Sequence, residues 1–282
     1  MFDSRDHISF RNERYTSIDK TNPRLLGLST IEINPTELCN RTCSFCPRHN
    51  PTVYPNRNLN MTVETAELLV SQLQEVEYTG DIHITGFGEP TLNPKIVSLI
   101  EIFSRNFYTE MITNGDRLLN GYYSVSQFTN AGLSNLIIDC YDDKAQYEQV
   151  CSLMQDCKIS YRIREHYDTG EEKIIELYNF TNRAGLMNKQ TNSNPCYLPF
   201  YKVFLDWNGD VRICCNDWAR NQESLGNIHE RDFADIWMSK KFIDIRKKLS
   251  KGDRNKLEAC KACNINGIQQ GKDSVDIWQN LL

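Results

Sequence analysis

Cys39, Cys43 and Cys46 stand in a C-x3-C-x2-C arrangement directly after Thr30 to Pro35, a stretch that reads as a short strand. Thiolates are soft ligands, and three at this pitch on one tight loop can hold three corners of a cubane iron–sulfur cluster. No fourth cysteine lies nearby in the sequence, which leaves one iron open to an exogenous ligand. Zinc is the competing occupant: it takes four closed nitrogen or sulfur ligands, and His49 would be the fourth. A strand end that opens a long alternation of strands and helices suits the cluster better than a zinc knuckle.

A second set, Cys196, Cys214, Cys215, Cys260 and Cys263, lies toward the C-terminus, and its spacing alone also fits zinc. Cys214 and Cys215 are adjacent, so on a strand they point to opposite faces and only one can reach a shared centre. Ahead of them Asn208-Gly209 sits between two apolar runs, the strongest short hairpin signal.

These residues need elements to position them. Strand patterns recur at Thr30 to Pro35, Asp81 to Gly86, Glu110 to Thr113, Asn135 to Cys140 and Lys158 to Arg164. Between them, Thr62 is a helix N-cap followed by acids in the first turns, and Ala66, Leu69, Val70 and Leu73 form one apolar face. Pro94 opens a second helix, and Leu118 to Phe128, Ala145 to Met154 and Glu171 to Ala184 are also helical. Alternating β and α at this spacing predicts a parallel sheet with right-handed crossovers. Ligands of such folds gather at the carboxyl ends of the strands, where Cys39, Glu89, Asn114, Asp139 and Arg164 all fall. Arg162 and Arg164 share a strand face, so either can be the arginine that reaches the mouth. His83, inside an apolar strand, reads as a satisfied buried histidine.

The 282 residues suffice for one large and one smaller domain, divided here as a leader over 1–29, an α/β domain over 30–187 and a cysteine-rich β-hairpin-plus-helix domain over 188–282. The polar linker Asn188 to Pro195 marks the second boundary. A net charge of −5 disfavours nucleic-acid binding, and no apolar run is long enough for a membrane span. The basic run from Lys240 to Lys251 is interleaved with Phe242, Ile243, Ile245 and Leu249 and reads as a solvated amphipathic face. Eleven cysteines without a signal peptide point to a reducing, cytoplasmic setting and to metal or redox chemistry.

The triplet, Phe45 before its third cysteine, Thr85-Gly86-Phe87-Gly88-Glu89-Pro90 and Ile112-Thr113-Asn114-Gly115 together resemble the radical S-adenosylmethionine (SAM) family. The resemblance implies a partial (β/α)6 barrel, a 4Fe-4S cluster on Cys39, Cys43 and Cys46, and SAM bound at the open iron. Phe45 would pack on adenine, Phe87, Gly88 and Glu89 would bind the SAM amino group, and Thr113 and Asn114 would close the third strand end. Asp139 would accept from ribose hydroxyls, although the family more often has Ser there, and Arg164 would meet the SAM carboxylate or a substrate oxygen.

The C-terminal part is similar to the SPASM/Twitch extension of that family, with Gly-x4-Cys after a hairpin, Leu225-Gly226-Asn227, Ile236-Trp237 and a closing cysteine pair. It implies one auxiliary 4Fe-4S cluster on Cys196, Cys214, Cys260 and Cys263, with Cys214 preferred over Cys215. Reductive cleavage of SAM, with a partner such as flavodoxin or ferredoxin as reductant, would give a 5'-deoxyadenosyl radical that abstracts a substrate hydrogen atom. The expected outcome is oxidation of an alcohol carbon of a sugar or cyclitol, with the auxiliary cluster as electron acceptor. Cross-linking or epimerisation of a ribosomal peptide, with Cys140, Cys151 or Cys157 as hydrogen donor if one faced the mouth, is the second reading. A non-enzymatic iron–sulfur or zinc scaffold is the third.

Overall fold

In a computed structural model, residues 12–167 and 181–281 are described. Strands β1 (Thr30–Ile33), β2 (Asp81–Ile84), β3 (Thr109–Thr113), β4 (Asn135–Cys140) and β5 (Ser160–Glu165) pair in parallel, each with the next. The intervening helices are α1 (Val63–Glu75), α2 (Ile96–Ser104), α3 (Asp116–Leu119), α4 (Val125–Asn130) and α5 (Lys144–Met154). Thr62 caps α1 by accepting from the Thr65 N–H, as its position predicts. Two helix expectations change: α2 starts two residues beyond Pro94, at Ile96, and the stretch from Leu118 to Phe128 divides, because Gly121 at φ +73° breaks it between α3 and α4.

The C-terminal segment contributes α6 (Leu198–Tyr201), β6 (Lys202–Leu205), β7 (Asp210–Arg212) and β8 (Gly226–Asn227), then α7 (Phe233–Trp237), α8 (Lys240–Ser250) and α9 (Lys272–Trp278). β6 and β7 form the hairpin expected at Asn208-Gly209. β6 does more than that: it pairs in parallel with β1, Thr30 opposite Lys202 and Ile33 opposite Leu205. One sheet of order β5-β4-β3-β2-β1-β6-β7-β8 results, so an open partial barrel gains its sixth parallel strand from the cysteine-rich segment.

Alternation along the strands sorts the side chains into two layers. Ile31, Ile33, Ile82, Ile84, Met111, Leu136, Ile138, Cys140, Val203 and Leu205 enter one core with Leu69, Leu73, Ile100, Phe103, Phe128 and Val150 of the helices. Most of the alternate residues that face inward are polar, with Ile112, Ile137 and Phe204 as apolar exceptions: Glu32 forms an ion pair with Lys202 at 3.5 Å, and Glu110 accepts from Asn135 at 2.8 Å. The barrel therefore has an oily outer layer and a charged lumen. Arg246 departs from the expected solvated face of α8. It is fully buried among Trp237, Phe242 and Trp278, donates to the Pro199 and Trp237 carbonyls at 2.8 Å, and burial lowers its pKa well below the usual arginine value.

Candidate active site

A cleft of about 220 Å³ opens at the carboxyl ends of the strands and is bordered by Cys39, Cys43 and Cys46. The cysteine loop has no regular structure and is held by side chains. Asn56 accepts from the Cys39 N–H and donates to its carbonyl, both at 2.9 Å. Arg41 bridges Asp116 and Asp142, with contacts of 2.6 to 2.8 Å. His49, the candidate fourth zinc ligand, is exposed, turns to the Thr42 carbonyl at 3.2 Å and does not line the cleft.

The chemistry of this donor set fits a cluster. Burial pushes Cys39 up to about 11 and Cys43 up to about 12 and raises Cys46 as well, which disfavours the free thiolates and is the penalty that a bound iron's charge would offset. Among the described residues no three potential ligands gather around a single ion, and a cubane does not require that, since each thiolate binds its own iron.

The turn after β2 passes directly beneath this loop. A Cβ on Gly86 would lie 2.2 Å from Asn34 Oδ1, and one on Gly88 would lie 2.3 Å from the Thr36 carbonyl oxygen and 2.5 Å from that of Leu38. Only glycine permits that approach, and the Glu89 N–H donates to Leu38 at 2.7 Å. The Phe87 ring turns sideways onto Phe204 and Trp218, at 4.6 and 4.5 Å, leaving backbone of Thr85 to Glu89 to border the cleft.

The Glu89 carboxylate lines the cleft and is also held by protein donors. It accepts from Thr91 N, Thr91 Oγ1, Thr113 Oγ1 and Asn114 N, at 3.0, 2.7, 2.6 and 2.8 Å, so both oxygens are committed to protein donors. It ties the β2 turn to the end of β3. Asn114 is similarly engaged, donating to Asn40 at 2.9 Å.

Asp139 and Arg164 do meet at the mouth, but they bind each other. Arg164 Nε and Nη2 reach the two Asp139 oxygens at 2.5 and 2.7 Å, while His166 and Tyr141 contact the same carboxylate at 3.1 and 3.0 Å. Burial would raise the Asp139 pKa, but Arg164 and His166 outweigh it and hold the group well below the usual carboxylate range. Of the two arginines, Arg164 borders the cleft and Arg162 does not. Cys140 is corrected: its neighbour Asp139 faces the lumen, so its own side chain points into the helix-side core, and it does not border the cleft. Phe45 lies at the rim, 5.4 Å from the Tyr141 ring.

Glu32, Arg41, Arg48, Arg183, Cys215 and Trp218 also border the cleft. The period-two alternation of β1 would have found Glu32, and the adjacent cysteines flag Cys215; no local pattern marks Arg183. The helix expected over Glu171 to Ala184 falls on residues outside the description up to 180; 181–182 are irregular and 183–186 form a turn.

A second, much smaller cavity, of about 20 Å³, is lined by Cys196, Cys214, Cys260 and Cys263, with apolar walls from Ile213, Leu249 and Ile265. Several N–H groups point at its sulfurs: Asn216 N and Nδ2 lie 3.4 and 3.5 Å from Cys214 Sγ, and Ile265 and Ala184 donate to Cys263. Buried Arg254, fixed by the carbonyls of Asn194, Pro195 and Ile265, adds positive charge beside the thiols. Such donors suit thiolates bound to iron. Cys215 faces the first cavity and Cys214 the second, so a single peptide bond separates their walls.

A family model of the radical SAM superfamily matches residues 33–136, and one of an iron–sulfur cluster-binding domain, SPASM, matches 196–264. The chain is similar to the S-adenosyl-L-methionine-dependent 2-deoxy-scyllo-inosamine dehydrogenase of Niallia circulans, 26% identical over 256 residues that cover 86% of this chain and 94% of the relative. Its fold is similar to that of BtrN in complex with AdoMet and 2-DOIA, with a TM-score of 0.71, 24% identity, and coverage of 87% of this chain and 96% of that one. SuiB of Streptococcus suis bound to precursor peptide SuiA follows at a TM-score of 0.58 and 17% identity, over 92% and 73% of the two chains. With one model falling on each cysteine site, the chain belongs to the radical SAM superfamily and is a radical SAM enzyme with a C-terminal SPASM-type iron–sulfur domain.

Proposed function

We propose that this enzyme oxidises a carbinol carbon of a cyclitol-like small molecule to a ketone. The observation that carries the reading is the closeness of the two cysteine-lined cavities, which meet at the Cys214–Cys215 peptide. Cys39, Cys43 and Cys46 would hold the SAM-binding 4Fe-4S cluster, and Cys196, Cys214, Cys260 and Cys263 the auxiliary one. When bound, the first cluster and SAM supply a 5'-deoxyadenosyl radical that takes the carbinol hydrogen atom.

The remaining roles fall to this chain's side chains. Phe45 stacks against the adenine, and the backbone of residues 86–88 receives the SAM ammonium. Arg164, oriented by Asp139, presents its remaining N–H groups to the SAM carboxylate or ribose. Three carboxylates border the cleft; Glu89 and Asp139 are committed to several donors each, and Glu32, paired with Lys202, takes the proton of the substrate hydroxyl. A cluster held by Cys196, Cys214, Cys260 and Cys263 would supply the acceptor for the remaining substrate electron. We assign the radical chemistry to residues 30–187 and the auxiliary site to 188–282, the two sharing one sheet. The reductant is a flavodoxin- or ferredoxin-type partner.

The test uses 2-deoxy-scyllo-inosamine as probe, anaerobically, with wild type and Cys260→Ala. Wild type should yield ketone and 5'-deoxyadenosine in equal amounts, and the variant should release 5'-deoxyadenosine with no ketone. Full ketone formation by the variant would remove the electron-acceptor role. A redox-neutral product would replace dehydrogenation with epimerisation.

A further inference from the structure

Arg183 reaches the radical cleft from a backbone that resists being there. Arg183, Ala184 and Gly185 have φ of 49°, 55° and 90°, three left-handed residues in succession, of which only the last is glycine. Such a turn persists only where its surroundings over-determine it. Here the surroundings are the auxiliary cysteine site. Asn182, almost fully buried, donates from Nδ2 to the carbonyls of Ala262 and Gln190 at 2.7 Å and of Asn188 at 3.2 Å. Its backbone N–H donates to Asn264 Oδ1 at 2.8 Å, and its Oδ1 accepts from the Asn264 N–H at 3.1 Å. Ala184 N–H is bonded to the Cys263 sulfur. Thr181 donates to Asn216, whose own N–H groups reach the Cys214 sulfur. A Cβ on Gly185 would come within 2.6 Å of Ala262 Cβ, so the turn lies flush on the Cys260-x2-Cys263 loop.

We propose that Asn182 is a positioning residue that clips this left-handed turn to the 262–264 loop, so that the auxiliary cysteine site fixes Arg183 in the wall of the radical cleft. The auxiliary site then has a second task, shaping the substrate pocket, alongside accepting an electron. Arg183 stands over Trp218, 5.8 Å from its ring, and lines the cleft together with Cys46, on which it acts electrostatically. The inference rests on the assignment of a small-molecule substrate to that cleft.

Two variants test it. Asn182→Ala removes the clip, and Gly185→Ala pushes the turn off the loop without touching the clip or Arg183. Both should keep about eight irons per chain and the auxiliary-cluster electron paramagnetic resonance signal. The amides of 181–187 should exchange with solvent at least about tenfold faster than in wild type, and Cys260→Ala should give the same acceleration through loss of the auxiliary iron. With 2-deoxy-scyllo-inosamine, KM should rise about tenfold with a smaller fall in kcat, as expected when a binding wall loosens. Unchanged exchange in the three variants would overturn the proposal, and so would loss of the auxiliary iron in Asn182→Ala, which would make the residue a support for the ligands alone. Exchange is read without substrate. If wild type does not turn over the probe, the dehydrogenase reading fails while the coupling is still decided.

Discussion

Asp139→Asn replaces a buried carboxylate by an amide and leaves Arg164 facing a group that no longer carries charge. The wild-type side chain is 6% exposed and bonded to both arginine nitrogens, His166 and Tyr141, while Arg164 retains 21% exposure of its own. Breaking one partner of a buried pair costs about 3–5 kcal/mol, and the residual hydration of Arg164 places this pair at the lower end, about 3 kcal/mol. For a chain of this length that is a fall in Tm of roughly 5–10 °C. The sign with pH follows from the direction of the shift. A carboxylate depressed in the folded state contributes stability at pH values above its unfolded pKa and loses it as pH falls toward the folded value. The difference between wild type and variant should therefore be flat from about pH 6 to 8 and narrow only below about pH 4. Anaerobic calorimetry of both proteins across that range measures it. A difference under about 0.5 kcal/mol would refute the argument.

Gly88→Ala, whose Cβ would overlap two carbonyl oxygens of the cysteine loop, should lower iron from about eight to about four per chain while leaving the auxiliary signal intact; full loading would show that the loop can yield. Glu32→Gln should cut ketone formation from 2-deoxy-scyllo-inosamine by about 10² to 10⁴ with less effect on 5'-deoxyadenosine release, read by product ratio, and equal losses of both would place Glu32 in binding instead. Arg254→Met, which removes the cation beside the auxiliary thiols, should make the midpoint potential of that cluster more negative in a spectroelectrochemical titration; an unchanged potential would limit Arg254 to bonding the surrounding carbonyls.

Much of the site was legible because its chemistry is local. The cysteine triplet is one loop, the glycines at 86 and 88 are one turn, and β1 to β5 each carry their own apolar pattern. What the sequence hid depends on contacts that have no local mark. Glu89 lies next to the expected position but is consumed by Thr91, Thr113 and Asn114, partners that only the folded β3 end supplies. Asp139 and Arg164 sit on strands 25 residues apart, and only the register Asp139 opposite Arg164 makes them partners instead of two separate ligand donors. Cys140 was weighed as a hydrogen donor because strand facing was unknown; one residue of alternation puts it behind the sheet. The basic residues of α8 read together as one solvated face of an amphipathic helix, yet the helix turns Arg246 inward onto three rings. The parallel pairing of β6 with β1 was invisible because a hairpin explains the same residues without it.

That pairing has a consequence for how the chain is made. β1 leaves the ribosome early, but one of its two edges has no partner until residues 202–205 follow, and the Asn34 bond to Asp206 spans 172 positions. An unpartnered strand edge is a template for pairing with other chains, and contacts this distant slow folding. During synthesis the thiols of the first loop thus sit beside an open flank, and iron delivered then would meet a half-built mouth. Assembly is expected to be safest when translation finishes first and metal arrives second.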